Sequence, residues 1–526
     1  MAGLSDDLRY LIEYDIISAK RVLRGLVQAL PRSVEARLLL GDTHARAQEF
    51  TEAEPQYRAA QALQPHARLP QLRLAFCALY QGDLPAALAG FERLHRAAPD
   101  DQSLVLAGVL LHRLGRPAEA LDRFRTLRER AAPGGSLRGF GLQAEIRALR
   151  SLGRIEDADA RAHELLALLQ ATPVAAANDL QRQGTSFDWH EWALVADKGR
   201  LGQLLASRGQ AGGHALRFPP SFLLPDEAAA LAAHAARQPA GAVFIVKPRD
   251  GQGGQAIRLT QDLAPFLAQP LATPGASRGA VVQPYIHPPY LVQGRKAHLR
   301  IYGLVTSAQP LRCYVYDDGI VRFAPRPYRQ QEGWLDQPDI HITNTALHRD
   351  NPLLRVSQDT TAENEGHIWS LRAYLRQLAA DGHDADQVFT AIGRLVGGFL
   401  LALRAEGLFA RQAAATAAGG IGAKLFGVDV LLDAQARPWL IEAQRNPAWT
   451  DSPPLVGRIN AGVALAMARM MSGPLLRPGE TAADLGGDIG RRERQLEGEG
   501  RGGFVRLVHD AAGERDEARG GREILL

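Results

Sequence analysis

Apolar and polar positions change rhythm twice along the 526-residue chain. Up to about residue 172, apolar residues recur at three- and four-residue intervals among Arg, Glu and Gln, the pattern of helices that bury one face. From 173 to 475, short β-branched or aromatic runs appear between Gly, Pro and Asp: GAVFIVKP, GAVVQPYI, HLRIYGLVTS, LRCYVYDDG and LFGVDVLLD. Helical patterns lie between them at 221–237, 366–380 and 385–405. Strands interleaved with helices predict α/β or α+β layers. The segment 476–526 is charged and Gly-rich and reads as a solvated, flexible tail. Its late runs, FVRLV and REILL, offer a short strand or a docking peptide.

The first segment is periodic. Pro31, Pro65, Pro99 and Pro133 stand 34 residues apart. Three helical patterns carry a small residue with an aromatic four positions on: Ala53 and Tyr57, Ala87 and Phe91, Ala120 and Phe124. The small residue admits a close helix approach, the aromatic fills the space beside it, and proline cannot continue a helix. A looser fourth copy surrounds Gly153. This resembles tetratricopeptide repeats, helix pairs that bury their apolar faces by stacking into a solenoid.

Composition narrows the function classes. At this length two to four domains are expected. A formal charge of +4 without a compact Lys/Arg stripe gives little reason for a nucleic-acid partner. No run of about 18 apolar residues is present, so no membrane span is expected. The N-terminus has no apolar signal-like core. Cys77 and Cys313 lack metal-ligand spacing and read as buried thiols, in keeping with a reducing, cytoplasmic setting.

Three places carry candidate chemistry. Lys247 ends an apolar run and precedes the Gly-rich RDGQGGQAI; a strand-end ammonium beside a glycine loop is a way to hold phosphate, and a plain turn is the other reading. In the strand HLRIYGL, period-2 geometry puts Lys296, His298 and Arg300 on one face, which either meets an anion or is simply exposed. FGVDVLLDAQARPWLIEAQRNP reads as a hairpin that brings Asp429 and Glu442 together. Two acids in apolar strands suit Mg²⁺ with phosphate oxygens, or pair with nearby arginines.

Taken in order, these segments resemble the tubulin–tyrosine ligase family, a branch of the ATP-grasp ligases, over about 290 residues. The matching positions begin with Lys198 in ADKGRLGQLL and the run FPPSFLLP, then Lys247 with Pro248, and Gly254 in the glycine loop. They continue with Gln283, Tyr285 and Ile286 at the hinge, Lys296 and Arg300, Arg322 and Tyr328, Thr343 and Asn344 in HITNTALHR, and Asp429 and Glu442. The resemblance implies a multidomain chain: an all-α repeat solenoid (1–172), an α+β ATP-grasp ligase domain (173–475) and the tail (476–526). It implies that ATP phosphorylates a carboxylate and that an amine displaces the phosphate to form an amide. Lys247 and Lys296 would hold phosphates under a lid that includes Gly253 and Gly254, and Gln283, Tyr285 and Ile286 would receive adenine. Asp429, Glu442 and Gln444 would hold Mg²⁺, and Arg300, Arg322 and Asn344 would act at the reacting groups. The repeats would recruit a protein or peptide acceptor for an amino acid. Three positions depart from the family: Ala256 for the second loop glycine, His298 for an acid, and Gln444 for an Asn. They leave open a catalytically degenerate ATP-binding scaffold, and a small-molecule peptide ligase shares the same chemistry.

Overall fold

A computed structural model describes residues 16–47, 49–132, 136–171, 195, 198–208, 216–248, 257–268, 279–330, 332–409, 423–447, 452–485, 492–493, 495–496, 503–508 and 523–525. The chain divides into two compact units. The first is built from α1 (Ile16–Ala29), α2 (Val34–Arg46), α3 (Phe50–Leu63), α4 (Arg68–Gln81), α5 (Leu84–Ala97), α6 (Asp101–Arg113) and α7 (Pro117–Arg130). Successive helices pack on one another across short turns. Ser33, Asp83 and Asp100 cap α2, α5 and α6 by accepting a backbone N–H three residues on. The paired small and aromatic residues are buried: Ala53, Ala87 and Ala120, with Tyr57, Phe91 and Phe124. Glycines meet two of these aromatics. A Cβ on Gly41 would lie 2.5 Å from the Tyr57 ring, and one on Gly108 2.6 Å from Phe124. Pro31, Pro65 and Pro99 follow α1, α3 and α5, while Pro133 lies outside the described residues. The helix α8 (Ser136–Ser151) contributes residues to each unit.

Beyond the first part of α8, the second unit continues with α9 (Ile155–Ala171). A small antiparallel sheet has the order β1-β4-β2-β3, with β1 Phe222–Leu224, β2 Phe244–Pro248, β3 Arg258–Thr260 and β4 Ala280–Pro284. The large sheet contains β5 (Leu291–Val292), β6 (Arg295–Ala308), β7 (Leu311–Phe323), β8 (Ile368–Ser370), β9 (Lys424–Leu432), β10 (Pro438–Gln444), β11 (Phe504–Val508) and β12 (Glu523–Leu525). Its main path is β10-β9-β6-β7-β11-β12, with β5 on β6 and β8 on β7. One face packs on α12 (Leu371–Ala380) and α13 (Ala385–Ala405), where Leu299, Ile301, Val428 and Val430 meet Leu395, Phe399 and Leu400. Among the described residues α13 is long and apolar enough to cross a membrane, yet it is largely buried in this core. The helix α11 (Ala228–Ala235) covers the small sheet, and α10 (Lys198–Arg208) precedes it.

Two helical expectations need correction. Within 221–237 the helix is confined to α11, and Phe222–Leu224 pair with β4 instead. Pro225 biases the residue before it towards extended backbone and stops a helix running through. Within 366–380 the helix starts at Leu371, because Ser370 accepts from the Ala373 N–H and ends β8 with a cap.

The late run Phe504–Val508 forms a strand on β7, and Glu523–Leu525 pairs parallel to it. Phe504, Val505, Leu507 and Ile524 are buried. Gly393 of α13 makes room for Ile524; a Cβ there would stand 2.4 Å from its Cδ1. Cys77 and Cys313 are both free and buried. Because Leu507 lies in the main core, Leu507→Ala is expected to cost about 2–5 kcal/mol in urea unfolding, whereas a passive tail would show no change.

Candidate active site

The small and large sheets face one another across a cavity of about 700 Å³, large enough for a nucleotide. Strand alternation decides what enters it. On β2, Phe244 and Val246 face the small core, and Ile245 and Lys247 face the cavity. On β4, Ala280 and Val282 go to the core, and Val281 and Gln283 to the cavity. On β6, Ala297, Leu299 and Ile301 enter the large core, so Lys296, His298 and Arg300 line the cavity.

The hairpin β9–β10 needs a correction of register to deliver its acids. Leu440 pairs with Val430, but Glu442 pairs with Asp429, so Ile441 is the extra residue of a bulge. Unbulged pairing would set Ile441 opposite Asp429. The bulge instead faces the two carboxylates, and Ile441, Glu442 and Gln444 all line the cavity.

Each charged group is held by directional bonds. Lys247 Nζ donates to Gln283 Oε1 at 2.8 Å, and Gln283 Nε2 donates to Ser221 Oγ at 2.6 Å. Lys296 Nζ donates to Tyr285 Oη and to the His341 carbonyl, each at 3.0 Å. Arg300 grips both oxygens of Asp429, through Nε at 2.5 Å and Nη2 at 3.2 Å. His298 Nδ1 lies 2.5 Å from Thr343 Oγ1. Lys198 Nζ is 3.9 Å from Glu442 Oε1.

Lys198, Lys247, Lys296, Arg300, Arg322 and Arg349 line the cavity against two carboxylates, Asp429 and Glu442. Crowding of buried cations shifts their titration. Burial, with Lys198 adding repulsion, lowers Lys247 to about 8 against the pull of Glu442. Burial and then Lys247 lower Lys296 to about 7. Burial and Arg300 lower Arg322 to about 10. His298 falls to about 3 because burial and the surrounding cations outweigh Asp429. Burial opposes ionisation of both Arg300 and Asp429, yet their contact raises the arginine and lowers the acid. The uncompensated charge in this well is positive, and its complement is a polyanion.

The cavity gathers Lys247, Gln283, Lys296, Arg300, Arg322, Asn344, Asp429, Glu442 and Gln444, together with Lys198, His298 and Thr343. It does not gather Tyr285 or Ile286. The Tyr285 side chain lies behind Lys296, and Ile286 is half-buried past the end of β4. Tyr328 bonds instead to His287, at 2.8 Å. Gly253, Gly254 and Ala256 lie outside the described residues. Ser221, His341 and Arg349 join the site although no role was read for them. Ser221 and Arg349 sit inside FPPSFLLP and HITNTALHR, but only the fold shows what they touch.

Asp429, Glu442 and Gln444 supply hard oxygen donors only. Among the described residues no group of three His, Cys, Asp or Glu forms a cage of its own. That set fits Mg²⁺, which takes one or two carboxylates and completes its shell with water and phosphate oxygens. Gln444 lines the cavity, whereas Asn446 Oδ1 accepts from Lys424 Nζ at 2.7 Å.

A family model described as the tubulin-tyrosine ligase family matches residues 195–469. The chain is 32% identical over 234 residues to a tubulin polyglutamylase of Caenorhabditis elegans, covering 44% of this chain and 31% of that protein. It is 30% identical over 243 residues to a tubulin monoglutamylase of Mus musculus, covering 45% and 19%. It is 30% identical over 242 residues to a probable alpha-tubulin polyglutamylase of Tetrahymena thermophila, covering 44% and 54%. The chain thus spans about a fifth to a half of the length of these relatives.

The lysine shifts set a pH dependence. An anion favours the charged ammonium, so its binding takes up a proton wherever the free lysine is neutral. With free-state values of about 7 for Lys296 and about 8 for Lys247, affinity is full only about one pH unit below the lower value and falls as pH rises through 7 and 8. Titration of inorganic triphosphate from pH 6.5 to 9 at fixed ionic strength is expected to show a loss of up to about tenfold per pH unit for each lysine. A flat profile would contradict the depressed lysines.

Proposed function

The chain belongs to the tubulin–tyrosine ligase family, and from that premise we propose that it is an ATP-dependent carboxylate–amine ligase that joins an amino acid to a protein or peptide acceptor. The observation that carries this reading is the cationic well bounded by the facing pair Asp429 and Glu442. Lys247 and Lys296 neutralise the nucleotide phosphates, and their bonds to Gln283 and Tyr285 limit how far either ammonium can swing. Arg322 and Arg300 face the γ-phosphoryl group and the acceptor carboxylate. An acceptor carboxylate oxygen attacks the γ-phosphorus, and the bond to the ADP oxygen breaks. The amine then attacks the acyl carbon, inorganic phosphate leaves, and the amine's proton passes to solvent. Mg²⁺ on Asp429, Glu442 and Gln444 would draw charge from the transferring phosphoryl group and the leaving ADP. Because the protein's part is positioning and charge neutralisation, fixed cations in a half-enclosed cavity carry most of the effect.

The names of the relatives, polyglutamylase and monoglutamylase, support glutamate as the amino acid added. The exposed Arg349 at the cavity supports an acidic group on the incoming substrate. The 34-residue period, with buried Ala53/Tyr57, Ala87/Phe91 and Ala120/Phe124, supports tetratricopeptide repeats in 1–172 that recruit the acceptor to a ligase domain at 173–475. One observation favours a second reading, a nucleotide-binding scaffold without turnover: Arg300 already holds both oxygens of Asp429. ATP binding without ADP release would select it.

Purified protein with ATP, Mg²⁺, glutamate and lysate acceptors is expected to release ADP and phosphate and add glutamyl mass to a protein. Lys247→Ala and Glu442→Gln should each lower turnover on the order of 10²- to 10³-fold, as loss of a charge-stabilising group does, while thermal unfolding stays near that of the unsubstituted protein. Absence of both ATP binding and ADP release with any amino acid would sink the proposal.

A further inference from the structure

Lys296 is held from behind by a chain of bonds whose directions can be worked out. His341 Nε2 lies 2.7 Å from the Trp334 carbonyl oxygen, which can only accept. The imidazole proton therefore sits on Nε2, and Nδ1 carries a lone pair. Nδ1 lies 3.1 Å from Tyr285 Oη, so it accepts the phenolic O–H. That orientation turns the oxygen lone pairs of Tyr285 towards Lys296 Nζ, 3.0 Å away. The His341 carbonyl accepts a second N–H of the same ammonium. Three N–H groups minus these two leaves one for the cavity.

Packing keeps the chain in place. The Tyr285 and His341 rings meet edge to face at 5.6 Å, and Trp334 covers His341 at 5.0 Å. Lys296, Tyr285 and His341 are all buried, so water competes poorly for their bonds. Burial also lowers His341 to about 4, which keeps the ring neutral and its Nδ1 free to accept. A Tyr285 placed only to touch a base would border the cavity, and it does not.

We infer that Tyr285 and His341 are positioning residues for Lys296: the chain from the Trp334 carbonyl through His341 and Tyr285 aims the ammonium's remaining N–H at the bound anion. The inference rests on the reading of Lys296 as a nucleotide-phosphate contact. Tyr285→Phe keeps the ring and removes the lone pairs. His341→Asn sets an amide oxygen near the place of Nδ1, and His341→Leu sets nothing there.

The test is calorimetric titration of the full chain with ATP and Mg²⁺, with thermal unfolding recorded for each variant. Tyr285→Phe and His341→Leu are expected to weaken ATP affinity about 5- to 20-fold, consistent with one lost hydrogen bond to a charged group. His341→Asn should recover much of that loss. In a Lys296→Ala background, Tyr285→Phe should have no further effect on affinity. Wild-type affinity in Tyr285→Phe overturns the inference, as does an equal loss with and without Lys296, which a general structural role would give. If Lys296→Ala itself binds ATP as tightly as the wild type, the phosphate reading of Lys296 fails and the inference falls with it.

Discussion

The ion pair between Arg300 and Asp429 sets the terms for everything around it. The two residues are register partners on adjacent strands β6 and β9, and both are buried. Burying either charge alone would be very costly, while a two-pronged pair with its bonds made is tolerable. The pair keeps Asp429 ionised where burial alone would protonate it. It also commits the one deep carboxylate to Arg300, so Arg322, Lys247 and Lys296 stand without an equal number of opposing acids. The well is consequently cationic by construction, and a polyphosphate supplies what the protein withholds.

Much of this was legible in residue order. Period-2 alternation put Lys296, His298 and Arg300 on one face, and the fold shows them there because Ala297, Leu299 and Ile301 take the core. The hairpin acids were legible as a pair, but the bulge at Ile441 was not. A bulge leaves little trace in an apolar run, since either residue of the doubled position can be apolar. The Gln283–Ser221 bond joins residues 62 apart and depends on β1 pairing with β4, which the sequence read as helix. Tyr285 shows the limit most clearly: its motif suggested a base contact, and only the positions of His341 and Trp334 reveal that it serves Lys296.

The last segment taught a similar lesson. Its Gly, Arg and Glu content reads as a solvated tail, because composition averages over the two short apolar runs, FVRLV and REILL, that offer a strand. Phe504–Val508 nevertheless completes the large sheet by covering the edge of β7, and Ile524 seats against Gly393. A further tie lies at α9, where Asp159 accepts the backbone N–H groups of Leu475 and Leu476 at 2.8 and 2.7 Å. Ile155 of the same helix joins Leu475 and Leu485 in a small core. Thus α9, which carries the end of the looser fourth copy around Gly153, packs within the second unit, and the stretch after α14 (Pro454–Ser472) is anchored to it.

His298 now has a physical account. It is the register partner of Arg322 across β6 and β7. A carboxylate at this position would face that guanidinium and neutralise it, adding a second internal ion pair beside the first. A buried imidazole among cations stays neutral, and its bond to Thr343 fixes its orientation. Among the described residues Arg322 then has no carboxylate within ion-pair distance. The substitution removes one negative charge from the wall of the cavity, which raises its pull on an anionic substrate. What the departure from the family takes away as an acid it returns as a guanidinium left open to the cavity.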